Sequence, residues 1–72
     1  MMLQLIDVSD NTVLDTIHLN ADQLVYDTGE AREVVESLRR RTPGGTDQAV
    51  YEALIAGGWS NGYAAIRPGT TP

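Results

Sequence analysis

The chain has 72 residues, with five Arg and no Lys, ten Asp plus Glu, one His and no Cys. Its net charge of −5 at pH 7 disfavours nucleic acid and anionic lipid as partners, and the lack of Cys excludes disulfides and thiolate metal sites. A chain of this length forms one domain with a small core, so it needs good packing, a dimer or a larger partner for stability.

The N-terminal residues do not have the pattern of a secretory signal peptide. No positive segment precedes an apolar core, and Asp7 and Asp10 interrupt the first apolar stretch. The longest run of low polarity, residues 53–59, is too short to span a bilayer. We therefore expect a cytoplasmic protein without a membrane partner, or a virion protein if the chain is a phage structural component.

Two β-prone segments, residues 2–8 and 12–19, predict an N-terminal β-hairpin around Ser9-Asp10-Asn11. Neither segment alternates cleanly between apolar and polar residues. This pattern indicates either a β-bulge or a ribbon with apolar contacts on both faces, one to its own helix and one to something else. Ile6, Val8 and Leu14 are interface candidates for the second contact.

Residues 23–26 are also β-prone and predict a third short strand or an extended connector. Tyr26 directly precedes the next predicted element, where it can cover the start of a helix or form half of a hydrophobic staple. We also count Tyr26 as an interface candidate.

The main predicted helix runs from Asp27 to Arg41. Four apolar residues recur at helical spacing on one face, namely Ala31, Val34, Val35 and Leu38. Asp27 is the expected cap, with Glu30 three residues later, and Thr28 is the alternative. The arginines at 39–41 complement the negative end of the helix dipole, an interpretation that the acidic balance of the chain favours over nucleic-acid binding.

A Pro-Gly-Gly break at residues 43–45 separates this helix from a shorter second one. Thr46 or Asp47 can cap the second helix, which continues to about Ala56 and stops at Gly57-Gly58. The short connection predicts that the two helices pack as a loose antiparallel pair.

The C-terminal part of the domain is an aromatic turn. Asn61-Gly62 favours a tight turn between Trp59 and Tyr63, and residues 64–66 continue as a short strand. Both aromatic side chains can close the core or anchor an interface, and one side chain can do both. Residues 1–66 thus form one α+β domain, and residues 67–72 are expected to be a flexible tail.

No residue pattern identifies a catalytic, cofactor-binding or metal-binding site. His18 and Asp15 are three residues apart, so a strand places them on opposite faces and they cannot easily form a dyad. Ser9 and Ser60 lack a nucleophile motif, and the spacing of the acidic residues does not match an EF-hand loop.

Two stretches resemble small proteins of actinobacteria and their phages: Tyr26-Asp27-Thr28-Gly29-Glu30-Ala31-Arg32 after a hairpin, and Gly58-Trp59-Ser60-Asn61-Gly62-Tyr63 near the end. The resemblance covers most of the chain and brings no catalytic residue. It implies a GC-rich source, which agrees with the use of Arg alone as the basic residue, and a small phage or prophage product.

These observations predict a non-enzymatic protein-interaction module with no cofactor. Its partner is protein, either a further copy of itself or a heterologous one, and it is expected to be a homo-oligomer or a minor structural component of a phage or other assembly. The alternative is an acidic regulatory inhibitor that binds a host or cellular protein. A third hypothesis, a small enzyme, requires residues from two subunits around His18.

Overall fold

A single five-stranded antiparallel sheet and two helices make up an α+β fold in the computed structural model, which describes residues 2–69. In chain order the elements are β1 (Leu3–Asp7), β2 (Thr12–Asn20), β3 (Gln23–Tyr26), α1 (Arg32–Arg39), α2 (Asp47–Gly57), β4 (Trp59–Ser60) and β5 (Ala64–Pro68). The strand order across the sheet is β3-β2-β1-β5-β4, so β1 lies at the centre between the second strand and the last one.

The predicted N-terminal hairpin is confirmed, and the irregular alternation comes from a β-bulge. Leu5 is opposite Asp15 and Ile6 is opposite Val13, so Leu14 is the extra residue on β2. The bulge reverses the faces of the preceding residues: Val13 faces away from the core that contains Ile17. A strict period of two would have placed Val13 and Ile17 on the same face.

The third strand is confirmed as β3, which pairs with β2 through a two-residue connection. Ala21 and Asp22 both have positive φ, at 50° and 65°, as a type I′ turn requires. This turn type matches the right-handed twist of the flanking strands, and it fixes the register so that His18 is opposite Val25.

The boundaries predicted for the first helix are wrong. α1 begins at Arg32 rather than Asp27 and ends at Arg39, and its N-cap residue Ala31 makes no side-chain capping bond. Thr28 instead accepts a hydrogen bond from the Glu30 amide at 3.2 Å and closes a local turn. The intervening residues form turns because the Asp15 carboxylate on β2 accepts hydrogen bonds from the Thr28 and Ala31 amides.

The second helix is longer than the first, contrary to the prediction, with eleven residues against eight. Its predicted start is confirmed: the Thr46 side chain accepts a hydrogen bond from the Ala49 amide at 3.1 Å. Gly58 follows its end with a φ of 66°, a conformation that glycine adopts without strain.

The core lies between the helices and one face of the sheet, which we call the helix face. Its buried residues are Leu3, Leu5, Ile17, Ala31, Val35, Val50, Tyr51, Leu54 and Ile66. The sheet contributes residues from three adjacent strands. The predicted apolar stripe supplies Val35 from α1 and Ala31 from its N-cap position, with Val34 and Leu38 packed against the cluster. No helix among residues 2–69 is long and apolar enough to cross a membrane.

β5 extends past the predicted domain end at residue 66. Arg67 and Pro68 continue its pairing with β1, and the Gly69 amide donates to the Met2 carbonyl at 2.8 Å. Backbone pairing with a central strand stabilises this segment although it has little apolar content. The rest of the predicted tail, residues 70–72, lies outside the described residues.

Candidate interaction surface

Asp15 is a buried carboxylate on the helix face, only 1 % exposed. It accepts hydrogen bonds from three backbone amides: Thr16 at 2.8 Å, Thr28 at 2.7 Å and Ala31 at 2.9 Å. Two of these amides belong to the turn that precedes α1, so one side chain of the sheet holds that turn in place. This contact explains why the chain at residues 28–31 forms a turn instead of the first helical residues.

The protonation of Asp15 follows from these contacts. Burial on its own raises the pKa of this carboxyl, but the hydrogen bonds from the Thr28, Ala31 and Thr16 amides outweigh burial and lower the pKa below its usual value. Asp15 is therefore ionised at neutral pH and acts as a fixed acceptor. The sequence gives one signal for this role: Asp15 is two residues before the apolar Ile17, so a strand places its carboxylate on the same face as a core residue.

Arg39 and Asp47 connect the two helices to the edge strand β3. The Arg39 guanidinium donates to the Asp47 carboxylate, to Glu36 Oε2 at 2.9 Å and to the Gly45 carbonyl at 2.7 Å. Asp47 Oδ2 accepts a hydrogen bond from the Leu24 amide at 2.8 Å. The Leu24 amide and the Arg39 guanidinium lower the pKa of Asp47, and hydrogen bonds to Glu36 and Asp47 raise that of Arg39.

We expect Asp47→Ala to destabilise the fold by about 1–3 kcal/mol, because it leaves the Leu24 amide and the Arg39 guanidinium without their shared acceptor. Urea denaturation followed by circular dichroism measures the change. Asp47→Asn, which keeps an oxygen acceptor, should lose less stability. Equal losses for the two variants would contradict this role of the carboxylate.

Tyr26 lies on the helix face, half-buried and packed against the core. The Arg32 guanidinium lies 4.8 Å from the centre of its ring, within the range of a cation–π contact. The Tyr26 hydroxyl is buried and has no hydrogen-bond partner among residues 2–69. Burial, followed by the charge of Glu36, raises the pKa of this hydroxyl.

The opposite side of the sheet, which we call the open face, is not covered by either described helix, since both helices pack on the core side. Strand alternation and register place on it Gln4, Ile6, Val13, Thr16, His18, Val25, Ala65 and Arg67. Ile6 and Ala65 are buried within this face. Val13 is 47 % exposed and Val25 is 44 % exposed. Two β-branched apolar side chains therefore face solvent on the same surface.

The open face continues past the ends of β1 and β5. The Val8 amide donates to the Tyr63 carbonyl at 3.0 Å, which extends the β1–β5 register by one step. The same alternation puts Val8 and Tyr63 beside Ile6 and Ala65. Tyr63 is 82 % exposed, the largest value among the exposed large apolar side chains of the described residues.

The structure thus divides the six interface candidates into two groups. Ile6, Val8 and Tyr63 come together on the open face, where Tyr63 is exposed and Ile6 is buried, at 8 % exposed. Leu14, Tyr26 and Trp59 are partly buried and pack against the core. Trp59 is opposite the buried Ile66, which places it on the helix face.

The two edges of the sheet are closed in different ways. At β3, the Leu24 amide donates its hydrogen bond to the Asp47 carboxylate, so it is not free to pair with an added strand. At the other edge β4 has only two residues, and β5 ends in Pro68, which has no amide hydrogen. Neither edge is suited to the addition of a strand.

A shallow, open depression of about 290 Å³ lies where β4 ends beside β5. Backbone and side chains of Gly57, Gly58, Trp59, Ser60, Ala65, Ile66 and Arg67 line it. Arg67 is the charged group of this lining, and it lies in a chain that is acidic overall.

The residues considered for catalysis do not form a site. His18 is exposed on the open face, whereas Asp15 is buried on the helix face. Among residues 2–69, no group of three or more His, Asp or Glu side chains is arranged to hold a metal ion.

Comparison with protein-family models, with curated proteins and with solved structures gives no match to this chain. The three exposed large apolar side chains of residues 2–69, Val13, Val25 and Tyr63, all lie on the open face.

Proposed function

We propose that this chain is a non-enzymatic protein-interaction module that binds another protein surface through the open face of its sheet. One observation carries the proposal: Val13, Val25 and Tyr63 are exposed on a sheet face that neither described helix covers. A β-sheet commonly buries one face against its own core, and a second face with apolar residues is a surface on which another protein packs.

The mode of binding follows from the closed edges. Strand addition needs a free row of backbone amides and carbonyls, whereas Asp47 at Leu24 and the proline at the end of β5 limit both edges. The mode of binding that these edges leave available is the packing of side chains on the open face. The partner is then a further copy of the chain or a component of a larger assembly, including a phage particle.

The non-enzymatic part of the proposal is supported by the positions of the titratable groups. General acid–base chemistry needs two such groups within hydrogen-bond reach of one substrate. The single His of the sequence and the buried Asp15 lie on opposite sides of the sheet. The hydrogen-bonding capacity of Asp15 is used by backbone amides.

Site-directed photo-crosslinking in the cells that make the protein tests this proposal. A photoreactive phenylalanine analogue replaces Val13 on the open face, and the matched control carries it at Glu52, an exposed position on α2. We expect discrete adducts of higher mass from position 13 and none of comparable yield from position 52. Mass spectrometry of the adducts identifies the bound chain.

The proposal fails if position 13 gives no adduct, or if both positions give the same adducts in the same yield. Adducts to the chain itself would indicate self-association, and adducts to a different protein would indicate a heterologous partner. An adduct from position 52 alone would favour binding through the acidic helical side, as the inhibitor hypothesis requires.

A further inference from the structure

One row of residues crosses the open face from edge to edge and carries opposite charges at its two ends. Gln4 on β1 is opposite Thr16 on β2 and opposite Arg67 on β5. On the far side of Thr16, the Asp27 amide donates to the Thr16 carbonyl at 3.0 Å, so Asp27 continues the register of β3. From the β3 side of the sheet to β5, the row therefore consists of Asp27, Thr16, Gln4 and Arg67.

The charges at the two ends do not satisfy each other within one chain. Three strand spacings of about 4.8 Å separate the ends of the row, roughly 14 Å in all. Both residues are exposed, and within residues 2–69 neither side chain has a hydrogen-bond or ion-pair partner. The ion pairs of this part of the chain both belong to Arg39.

We propose that the open face binds a second copy of this chain in a two-fold sheet-on-sheet dimer, in which Asp27 of each copy pairs with Arg67 of the other. The inference rests on the proposed function and names the partner. A two-fold axis parallel to the strands and running between β1 and β2 inverts the order of the row. It places each acidic end over a basic end and each Thr16 over a Gln4.

The same axis suits the neighbouring row. Val13 on β2 is opposite Ile6 on β1, and these two residues also lie on either side of the axis. In the dimer the exposed Val13 of one copy lies over Ile6 of the other, which is itself only 8 % exposed, so an apolar row lies beside the row that carries the charged ends. The charged residues lie at the rim, away from the axis, as is typical of protein interfaces.

The distance between packed sheets allows the Asp–Arg pairs to form, but the small area of the face predicts modest affinity. Packed sheets lie about 10 Å apart, a gap that an Arg and an Asp side chain span together. Four strands about 17 Å long present roughly 300 Å² of projected area per copy, which is small beside the roughly 800 Å² of accessible surface per partner in a standard interface. We therefore expect a dimer that dissociates on dilution.

Charge exchange at the two positions provides the test. Sedimentation velocity from about 10 µM to about 1 mM should show a concentration-dependent dimer for the unmodified chain. Asp27→Arg alone and Arg67→Asp alone should each weaken self-association at least tenfold, roughly, because like charges then meet at both ends of the interface. An equimolar mixture of the two single variants should associate again, as should the double variant.

Two matched controls separate this pairing from a change in net charge. Glu52→Arg and Arg41→Asp change the net charge by the same amounts at exposed positions on the helical side of the molecule. Neither should alter self-association much, and circular dichroism of every variant should show the native fold. The recovered association of the mixture also shows that both single variants are folded.

The dimer proposal is overturned if the unmodified chain stays monomeric throughout, if the single exchanges have no effect, or if the mixture fails to associate. A monomer that still crosslinks from position 13 to another protein overturns the dimer and leaves the proposed function in place. Absence of both self-association and crosslinking overturns the two together.

Discussion

Asp15→Ala is expected to destabilise the protein by about 3–5 kcal/mol, because it leaves three backbone amides without the carboxylate that accepts their hydrogen bonds. A domain of this size has a total stability of only about 4–10 kcal/mol. The loss is a large part of this total, so the variant should unfold at a clearly lower temperature than the unmodified chain. Thermal unfolding followed by circular dichroism measures the loss.

Asp15→Asn is the matched control for charge. It keeps the size and one oxygen acceptor but loses the negative charge and the second acceptor, so its stability should lie between that of the native chain and Asp15→Ala. A loss below about 1 kcal/mol for Asp15→Ala would contradict the role that we assign to this carboxylate.

The same carboxylate predicts how stability depends on pH. Its pKa in the folded protein is lowered, since the Thr28, Ala31 and Thr16 amides outweigh the effect of burial, which raises it. The folded state therefore binds the proton less tightly than the unfolded state, whose Asp pKa is about 3.9. This contribution is fully present above the unfolded pKa and is lost as the pH falls through the folded pKa. In Asp15→Ala that part of the acid dependence should disappear.

Ile17→Ala is expected to cost about 2–5 kcal/mol, the range for truncation of a fully buried aliphatic side chain. Ile17 is 0 % exposed and pairs with Leu3 on one side and Tyr26 on the other, so the cavity opens in the core beneath an interior strand of the sheet. Urea denaturation at low protein concentration measures the monomer.

The neighbouring His18 is the control, because it lies on the other face of the same strand and is exposed. His18→Ala should change monomer stability by less than about 0.5 kcal/mol. Similar losses for the two adjacent positions would contradict the assignment of a helix face and an open face.

Local patterns in the sequence predicted the local elements. The N-terminal hairpin and the third strand follow from β-branched content and turn residues, and the cap of α2 follows from Thr46. The apolar stripe of α1 was also predicted, because helical spacing decides which of its residues are buried. The two-residue period of a strand nevertheless gives the wrong face for Val13, because one extra residue in β2 exchanges the faces of the residues that precede it.

Contacts between residues that are far apart in the chain could not be predicted from the sequence. Asp27 and Glu30 have the spacing of a helix start, but Asp15, on a strand twelve residues before Asp27, binds the local amides and delays α1 to Arg32. Strand order likewise depends on which segments meet across the whole chain. The row from Asp27 to Arg67 exists only because β5 pairs with β1, a partner that no local pattern identifies.

The central position of β1 has a consequence for synthesis on the ribosome. β1 is made first, yet one of its two neighbours is β5, which is made last. While residues 64–68 are still in the exit tunnel, a nascent chain can form the three-strand meander but must leave one edge of β1 unpaired, with Leu3 and Leu5 incompletely covered. Such exposed edges promote aggregation, so release of the last strand is the step that completes and protects the sheet.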